Sequence, residues 1–161
     1  MRYIIRQKIF SLGDSFMIKN EAGNDIFMVK SQLLSFGKKL RLYDLIENEL
    51  CYIEQKVFRF MPEYDIYISG QHIINVKKRF ALFKNDFIIT SQSGCYSIEG
   101  DFWAHEFSIL KDNRVVARVS KEFFSFSDTY GVEIDDGQDQ VTNLSLAIVI
   151  DMVCHNNHNN G

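Results

Sequence analysis

Alternation of apolar and polar residues dominates the chain, and this pattern places successive side chains on opposite faces of a β-strand. Residues 40–44 and 64–68 alternate most clearly. About twelve such segments, at roughly ten-residue spacing and separated by turn-forming residues, are typical of an all-β sandwich or barrel. The predicted strands are residues 3–10, 16–18, 26–34, 40–44, 50–57, 64–68, 72–80, 87–90, 96–99, 103–110, 115–120 and 130–135.

Residues 141–153 have a different pattern, with apolar side chains on every side of a predicted helix. A helix that is apolar all round is buried on all sides, and this one is shorter than the about 20 residues needed to span a bilayer. Residues 135–140 supply helix-starting and acidic residues, and residues 156–161 predict a frayed tail. The predicted central helix is built on Leu144, Leu146, Ala147, Ile148, Val149, Ile150 and Asp151.

Strands and helix together predict a closed barrel of about twelve strands that encloses the helix. Eight strands fill a barrel with their own side chains and sixteen leave a channel, so about twelve leave room for a helix about 10–12 Å across. We therefore expect one domain over residues 1–161.

Composition narrows the functional classes. Hydrophobic residues make up 46% of the chain, which argues against disorder, and the net charge of -3 gives no reason to expect nucleic-acid binding. Three widely spaced cysteines favour a reducing compartment, and the charged N-terminal residues give no reason to expect a signal peptide. The cytoplasm is the expected location.

Two basic clusters are candidate anion-binding sites. They are Lys38, Lys39 and Arg41, and Lys77, Lys78 and Arg79. Each basic side chain near an anionic surface contributes about 1 kcal/mol. Alternation within a strand sends neighbouring charges to opposite faces, so solvated strand ends are the alternative interpretation.

Asp151 is the anomaly of the predicted helix, because a buried carboxylate is costly unless it is paired or protonated. It reaches either a structural hydrogen-bond partner or the barrel mouth, or it has a ligand-binding or proton-linked role. Asp151, Cys154, His155 and His158 would share one helix face, which is compatible with zinc. Because residues 156–161 predict fraying, we expect no metal site. His105 lies in a predicted strand and His72 begins one, so neither suggests chemistry.

The chain resembles the LURP-one-related family, a branch of the tubby C-terminal-like superfamily, and is similar to its small bacterial members. The resemblance is carried in order by residues 6–14, 34–40 with 43–44, 52–56, 100–103, 119–121 with 127–134, and 150–151. It implies a twelve-stranded barrel threaded by a hydrophobic C-terminal helix. Two departures are Phe123 and Phe124 where Trp is expected, and Glu47 or Asn48 where a turn glycine is common.

The resemblance also bears on function. Tubby proteins bind phosphoinositides through basic residues on the barrel, although none of those residues maps onto this chain position by position. We expect a non-enzymatic binding or scaffold module without a cofactor, whose partners are anionic phospholipid or phosphoinositide-like head groups at a membrane surface. A protein-interaction or regulatory module is the alternative, followed by a small-ligand carrier or enzyme. The sequence contains no phosphate-binding loop and no nucleophile elbow.

Overall fold

The structure, a computed structural model, describes residues 1–6, 15–32, 36–80, 87–124 and 128–155. These residues form twelve strands and one helix, and every predicted strand overlaps an observed one. The elements are β1 (Arg2–Arg6), β2 (Ser15–Asn20), β3 (Asp25–Gln32), β4 (Lys39–Tyr43), β5 (Glu49–Gln55), β6 (Glu63–Ile68), β7 (Gln71–Lys78), β8 (Phe87–Ser91), β9 (Tyr96–Asp101), β10 (Glu106–Lys111), β11 (Arg114–Ser120), β12 (Thr129–Ile134) and α1 (Gln140–His155). The predicted tail, residues 156–161, lies outside the described residues.

The strands form one antiparallel sheet in the order β8-β7-β6-β5-β4-β3-β2-β1-β12-β11-β10-β9. Strands β8 and β9, at the two ends of this order, lie beside each other. The sheet is therefore a nearly closed barrel, as predicted, and among the described residues no strand pairing joins β8 to β9. Side chains bridge this seam, since the rings of Phe87 and Phe102 meet edge to face at 5.2 Å.

Helix α1 fills the interior of the barrel. All of its residues from Thr142 to Cys154 are buried, and it packs against β5, β6, β11 and β12. The wall supplies inward apolar residues at alternate positions, such as Leu40 and Leu42 of β4. The helix begins at an N-cap, because Asp139 Oδ1 accepts a hydrogen bond from the Thr142 amide (2.6 Å). The prediction of an enclosed helix is confirmed.

Connections between antiparallel strands alternate between the two ends of the barrel. One end, here called the acidic rim, carries residues 21–24, 44–48, 69–70, 92–95, 112–113 and 135–139. The other end, the basic rim, carries the described residues 36–38, 56–62, 79–80, 102–105 and 121–124, together with the adjoining strand ends at Lys39, Lys77 and Lys78. Helix α1 starts at the acidic rim and ends at the basic rim, where His155 Nε2 donates to the Trp103 carbonyl (2.9 Å).

One predicted strand, residues 103–110, starts too early. Residues 102–105 form a turn instead, and β10 begins at Glu106. Asp101 Oδ1 accepts hydrogen bonds from the amides of Trp103 and Ala104 (3.0 Å each), which is typical turn chemistry for Asp. His105 closes this turn with a φ of 56°, so the prediction that it lies in a strand was wrong.

Candidate functional site

The two basic clusters lie at the same end of the barrel. Lys38 and Lys39 stand at the start of β4, and the Lys77–Lys78 pair ends β7. Strands β5 and β6 lie between them, so three strand spacings, roughly 14 Å, separate the clusters. They share the basic rim without merging into one patch.

Neighbouring side chains of each cluster differ in exposure, as alternation predicts. Lys77 is exposed, whereas Lys78 is half-buried with its Nζ 5.6 Å from the centre of the Trp103 ring. Arg79 is exposed. Lys78 thus lies over the mouth of the barrel, while Lys77 and Arg79 project into solvent.

In the first cluster, Arg41 lies furthest from the rim and has partners on the outer wall. Its Nε is 3.3 Å from Glu49, and its guanidinium lies 4.5 Å from the centre of the Tyr52 ring. Burial lowers the pKa of Lys38. Lys39 is half-buried and faces Glu54 in the register of β4 and β5. Lys38 and Lys39 therefore belong to the rim, whereas Arg41 belongs to the wall.

Lys56 and Arg59 are further cations of this rim that the sequence analysis missed. Both lie in the connection between β5 and β6, beside Lys38, whose backbone oxygen accepts from the Gln55 amide (2.8 Å). Lys56 pairs with Asp65 (3.1 Å) and Arg59 with Glu63 (3.2 Å). A connection that interleaves Lys and Arg with Val and Phe was the available signal.

Exposed aromatic side chains mark the same rim. Among the described residues, all the exposed aromatic side chains lie there: Phe36, Phe58, Phe60, Phe80 and Trp103. Phe58 and Phe60 are 87% and 94% exposed, which is extreme for such large apolar groups. These five aromatic side chains therefore lie at the surface of the basic rim and not in the core.

Local geometry brings two of these rings together. Gly37 has a φ of 84°, and a Cβ there would lie 2.8 Å from Val57 Cγ1. The absence of a side chain lets the β3–β4 turn pack against the β5–β6 connection. The rings of Phe36 and Phe58 consequently meet at 5.3 Å.

The opposite end has the opposite charge. The charged side chains in the connections of the acidic rim are all acidic: Glu21, Asp44, Glu47, Asp112, Asp135, Asp136 and Asp139. The connections at the two ends of the barrel therefore differ in charge although the net charge of the chain is only -3, while the strand ends at the acidic rim carry the cations Lys19, Lys111 and Arg114.

Beneath Trp103, a buried polar cluster joins the end of the helix to the β9–β10 turn. Asp151 Oδ1 accepts a hydrogen bond from His105 Nε2 (2.6 Å) and lies 3.1 Å from His155 Nδ1. The two imidazole rings stack with their centres 4.0 Å apart, and Tyr130 stacks on the other face of His105 at 4.8 Å. Asp151 thus has the structural partner that its burial required.

Electrostatics keep Asp151 charged. Burial raises the pKa of Asp151, but contacts with His105 and His155 lower it by more, so the net shift is downward. The adjacent carboxylate raises the pKa of His155. Burial, reinforced by Asp151, raises the pKa of Tyr130 well above its usual value. The cluster therefore carries a buried carboxylate against two imidazoles and a neutral phenol.

Sequence reasoning found two of the three cluster members. The spacing of four between Asp151 and His155 places them on one helix face, as predicted. His105 is 46 residues from Asp151 in sequence and was missed. No local signal marks it, because the contact depends on how the helix threads the barrel. Cys154 is buried and free, and His158 lies outside the described residues.

A nearly closed antiparallel barrel around a hydrophobic helix defines the class of protein. The sequence matches the family model described as LURP-one-related over residues 1–151, and the chain belongs to that family. A Bacillus subtilis (strain 168) relative, named uncharacterized protein YxjI, is 33% identical over 152 residues, which covers 94% of this chain and 93% of the relative. The crystal structure of an Arabidopsis thaliana protein shares the fold, with a TM-score of 0.67 and 16% identity over 94% of this chain and 90% of that chain.

Within the described ranges, no helix has the length and apolar character to cross a bilayer.

Proposed function

We propose that this protein is a non-enzymatic binding module that attaches to the surface of anionic membranes through its basic rim. The observation that carries the proposal is the coincidence of exposed aromatic rings with basic side chains at one end of the barrel. Lys38, Lys39, Lys77 and Arg79 supply charge there, together with Lys56 and Arg59.

Both kinds of side chain suit a membrane surface. Aromatic rings are favoured at the boundary between head groups and hydrocarbon, and each basic residue near an anionic surface contributes about 1 kcal/mol. Phe58 and Phe60, carried on one connection beside Lys56 and Arg59, combine the two properties within a few residues. The rim can therefore insert shallowly while its cations contact lipid phosphates.

The charge polarity supports one orientation. An anionic surface attracts the basic rim and repels the acidic rim, so the barrel axis would stand upright on the membrane with the start of α1 pointing away. Lipid binding is also what the resemblance to tubby proteins implies. In this proposal Arg41 does not contribute, because it lies in the middle of β4 on the outer wall and not at the basic rim.

Vesicle flotation tests the proposal. The full chain is mixed with vesicles of phosphatidylcholine alone, or of phosphatidylcholine with phosphatidylglycerol or phosphatidylinositol bisphosphate at matched total charge. We expect binding to the anionic vesicles, weakening as salt rises because exposed charges are screened. Similar binding to both anionic lipids indicates a charge sensor, whereas preference for the bisphosphate indicates head-group recognition.

Variants separate the contributions of charge and aromatic groups. Replacing Lys38, Lys39, Lys77 and Arg79 together by Gln should reduce partitioning at least tenfold, and Phe58→Ser with Phe60→Ser should do so at any salt concentration. The matched controls lie at the acidic rim, where Ile46 is exposed and Arg114 begins β11. Ile46→Ser and Arg114→Gln should bind as the parent does. Equal partitioning into neutral and anionic vesicles would refute the proposal and favour the protein-interaction alternative.

A further inference from the structure

We propose that His105, Asp151 and His155 form a binding site for one divalent transition-metal ion of the zinc class. The ligand atoms are one nitrogen of each imidazole and one carboxylate oxygen, and all three lie within 4.8 Å of one another. The site stands apart from the proposed membrane function, because none of its ligands is among the exposed aromatic and basic side chains of the basic rim, and His105 itself is buried.

Two separate elements provide these side chains. Asp151 and His155 are one helical turn apart on α1, and His105 comes from the turn before β10. His105 is held in the left-handed region (φ 56°) although it is only 1% exposed. A β-turn that forces a buried histidine into this conformation needs strong compensating contacts.

One buried polar atom of the cluster, His105 Nδ1, has no hydrogen-bond partner among the described residues. The Tyr130 hydroxyl interacts with the Asp151 carboxylate, which contributes to its raised pKa. Unpaired buried polar atoms are rare and call for a cause such as a bound ion. The cluster around Asp151 therefore contains more potential metal-ligand atoms than its hydrogen bonds within the protein use.

The tautomer of His155 suits a metal ligand. Its Nε2 donates to the Trp103 carbonyl, which leaves Nδ1 as the nitrogen that faces Asp151. Metal-ligating histidines almost always donate their other ring N–H to a carboxylate, carbonyl or water, which orients the ring. The β9–β10 turn therefore provides the outer partner that such a ligand requires.

Distances and donor types limit the choice of ion. Bonds of about 2.0–2.1 Å place two ligands of a tetrahedral ion roughly 3.3 Å apart, so the 2.6 Å contact between His105 and Asp151 must open slightly. The two stacked imidazole rings, which are now inclined by 11°, must also tilt toward each other, because each nitrogen binds a metal ion in the plane of its own ring. Two imidazoles and one carboxylate favour Zn²⁺, Co²⁺ or Fe²⁺ over Mg²⁺ and Ca²⁺. Three protein ligands leave one coordination position for water or another donor.

Cobalt provides a direct test. The chelator-treated full chain is titrated with Co²⁺ while its visible d–d absorption is recorded, and Zn²⁺ is then added as a competitor. We expect one Co²⁺ per chain, displacement by Zn²⁺, and no thiolate-to-cobalt charge-transfer band. Such a band would place the ion on a cysteine and overturn the proposed ligand set.

The four histidines of the chain allow matched variants. His105→Gln and His155→Gln should each weaken Co²⁺ binding at least tenfold. His72→Gln is the control, because His72 also contacts a carboxylate, that of Asp65 (2.9 Å), but on the outer wall. His72→Gln and His158→Gln should bind as the parent does. Loss of binding in either control, with binding retained in His105→Gln, would overturn the proposal.

A second measurement covers variants that fail to fold. Imidazole nitrogen spectra of the unmodified chain should show Zn²⁺ shifting the resonances of His105 and His155 while those of His72 stay fixed. Unchanged resonances for His105 and His155 at saturating Zn²⁺ would equally overturn the proposal.

Discussion

Asp65 is a nearly buried carboxylate on the outer wall of the barrel, 4% exposed on β6. Asn75 Nδ2 donates to its Oδ1 (2.8 Å), which also contacts His72 Nε2 (2.9 Å), while Lys56 lies 3.1 Å from Oδ2. Burial raises the pKa of Asp65, but these partners lower it by more, and the net shift is downward. The charged form is therefore the one that the fold stabilises.

This shift predicts an acid-sensitive contribution to stability. Because the folded pKa lies below the unfolded value of about 3.9, the contribution is complete above that value and is lost as pH falls through the folded pKa. Asp65→Asn should lower the free energy of unfolding at neutral pH by about 1–3 kcal/mol. Urea unfolding at a series of pH values should show the gap to the parent closing below about pH 4.

The control for this residue is Asp25, whose exposed ion pair with Lys19 (2.6 Å) is screened by water. Asp25→Asn should change stability by less than about 0.5 kcal/mol at any pH. A gap between Asp65→Asn and the parent that stays constant from neutral to acid pH would show that the charge of Asp65 is not what stabilises the wall.

The contacts of individual side chains were the hardest features to predict from the sequence. Glu47, noted as standing where a turn glycine is common, has a φ of 65°, so the backbone there does adopt the conformation that glycine favours. His105 gave no such signal, because its contact with Asp151 joins segments far apart in sequence. The local sequence pattern predicts turn geometry, but it does not predict which side chains meet inside the barrel.

At the scale of elements, helix α1 could be predicted because a helix of this composition is stable only when it is buried. A short helix that is apolar all round must be enclosed, and only the strands could enclose it. The start of β10 was mispredicted because Trp103 and His105 fit an alternating pattern. The turn chemistry of Asp101, which binds the next amides, determined the structure there instead.

A charge placed in the centre of the helix tests this account. Ile148 is fully buried, so Ile148→Asp buries an unpaired carboxylate and removes apolar contacts. We expect a loss of more than about 4 kcal/mol of stability, enough to unfold a domain of ordinary stability. Thermal melting followed by circular dichroism measures the effect.

The same substitution at an exposed site provides the control. Ile46 is 81% exposed in the β4–β5 connection, so Ile46→Asp should leave stability within about 0.5 kcal/mol of the parent. If Ile148→Asp melts as Ile46→Asp does, the helix does not occupy the interior of the barrel.

At the scale of the whole molecule, charge polarity depended on topology and not on composition. The net charge of -3 gave no reason to expect a positively charged surface. Each basic cluster taken alone could also be interpreted as a pair of solvated strand ends without a ligand. Antiparallel order sends alternate connections to opposite ends, and this order separates Lys56 and Arg59 from Glu47 and Asp112. The strand count and the enclosed helix followed from sequence, whereas the grouping of aromatic and basic residues required the order of the strands.

The seam between β8 and β9 should set the pattern of local opening. Every other neighbouring pair of strands is joined by a hydrogen-bonded ladder, whereas β8 meets β9 through side chains and has no fully buried residue. The main contacts of the helix are with β5, β6, β11 and β12, none of which forms the seam. Water can therefore reach β8 by local opening, but it reaches α1 only when the barrel as a whole opens.

Native-state hydrogen exchange measures this difference. Amides of Ala147, Ile148, Val149 and Ile150 should exchange with the free energy of global unfolding, together with those in the middle of β5. Amides of β8 should exchange at a lower free energy, and adding dilute urea should leave their exchange less affected than that of the helix, since local opening exposes less surface. If the helix amides exchange as readily as those of β8, the barrel opens around the helix without unfolding, and enclosure by the sheet does not hold the molecule together.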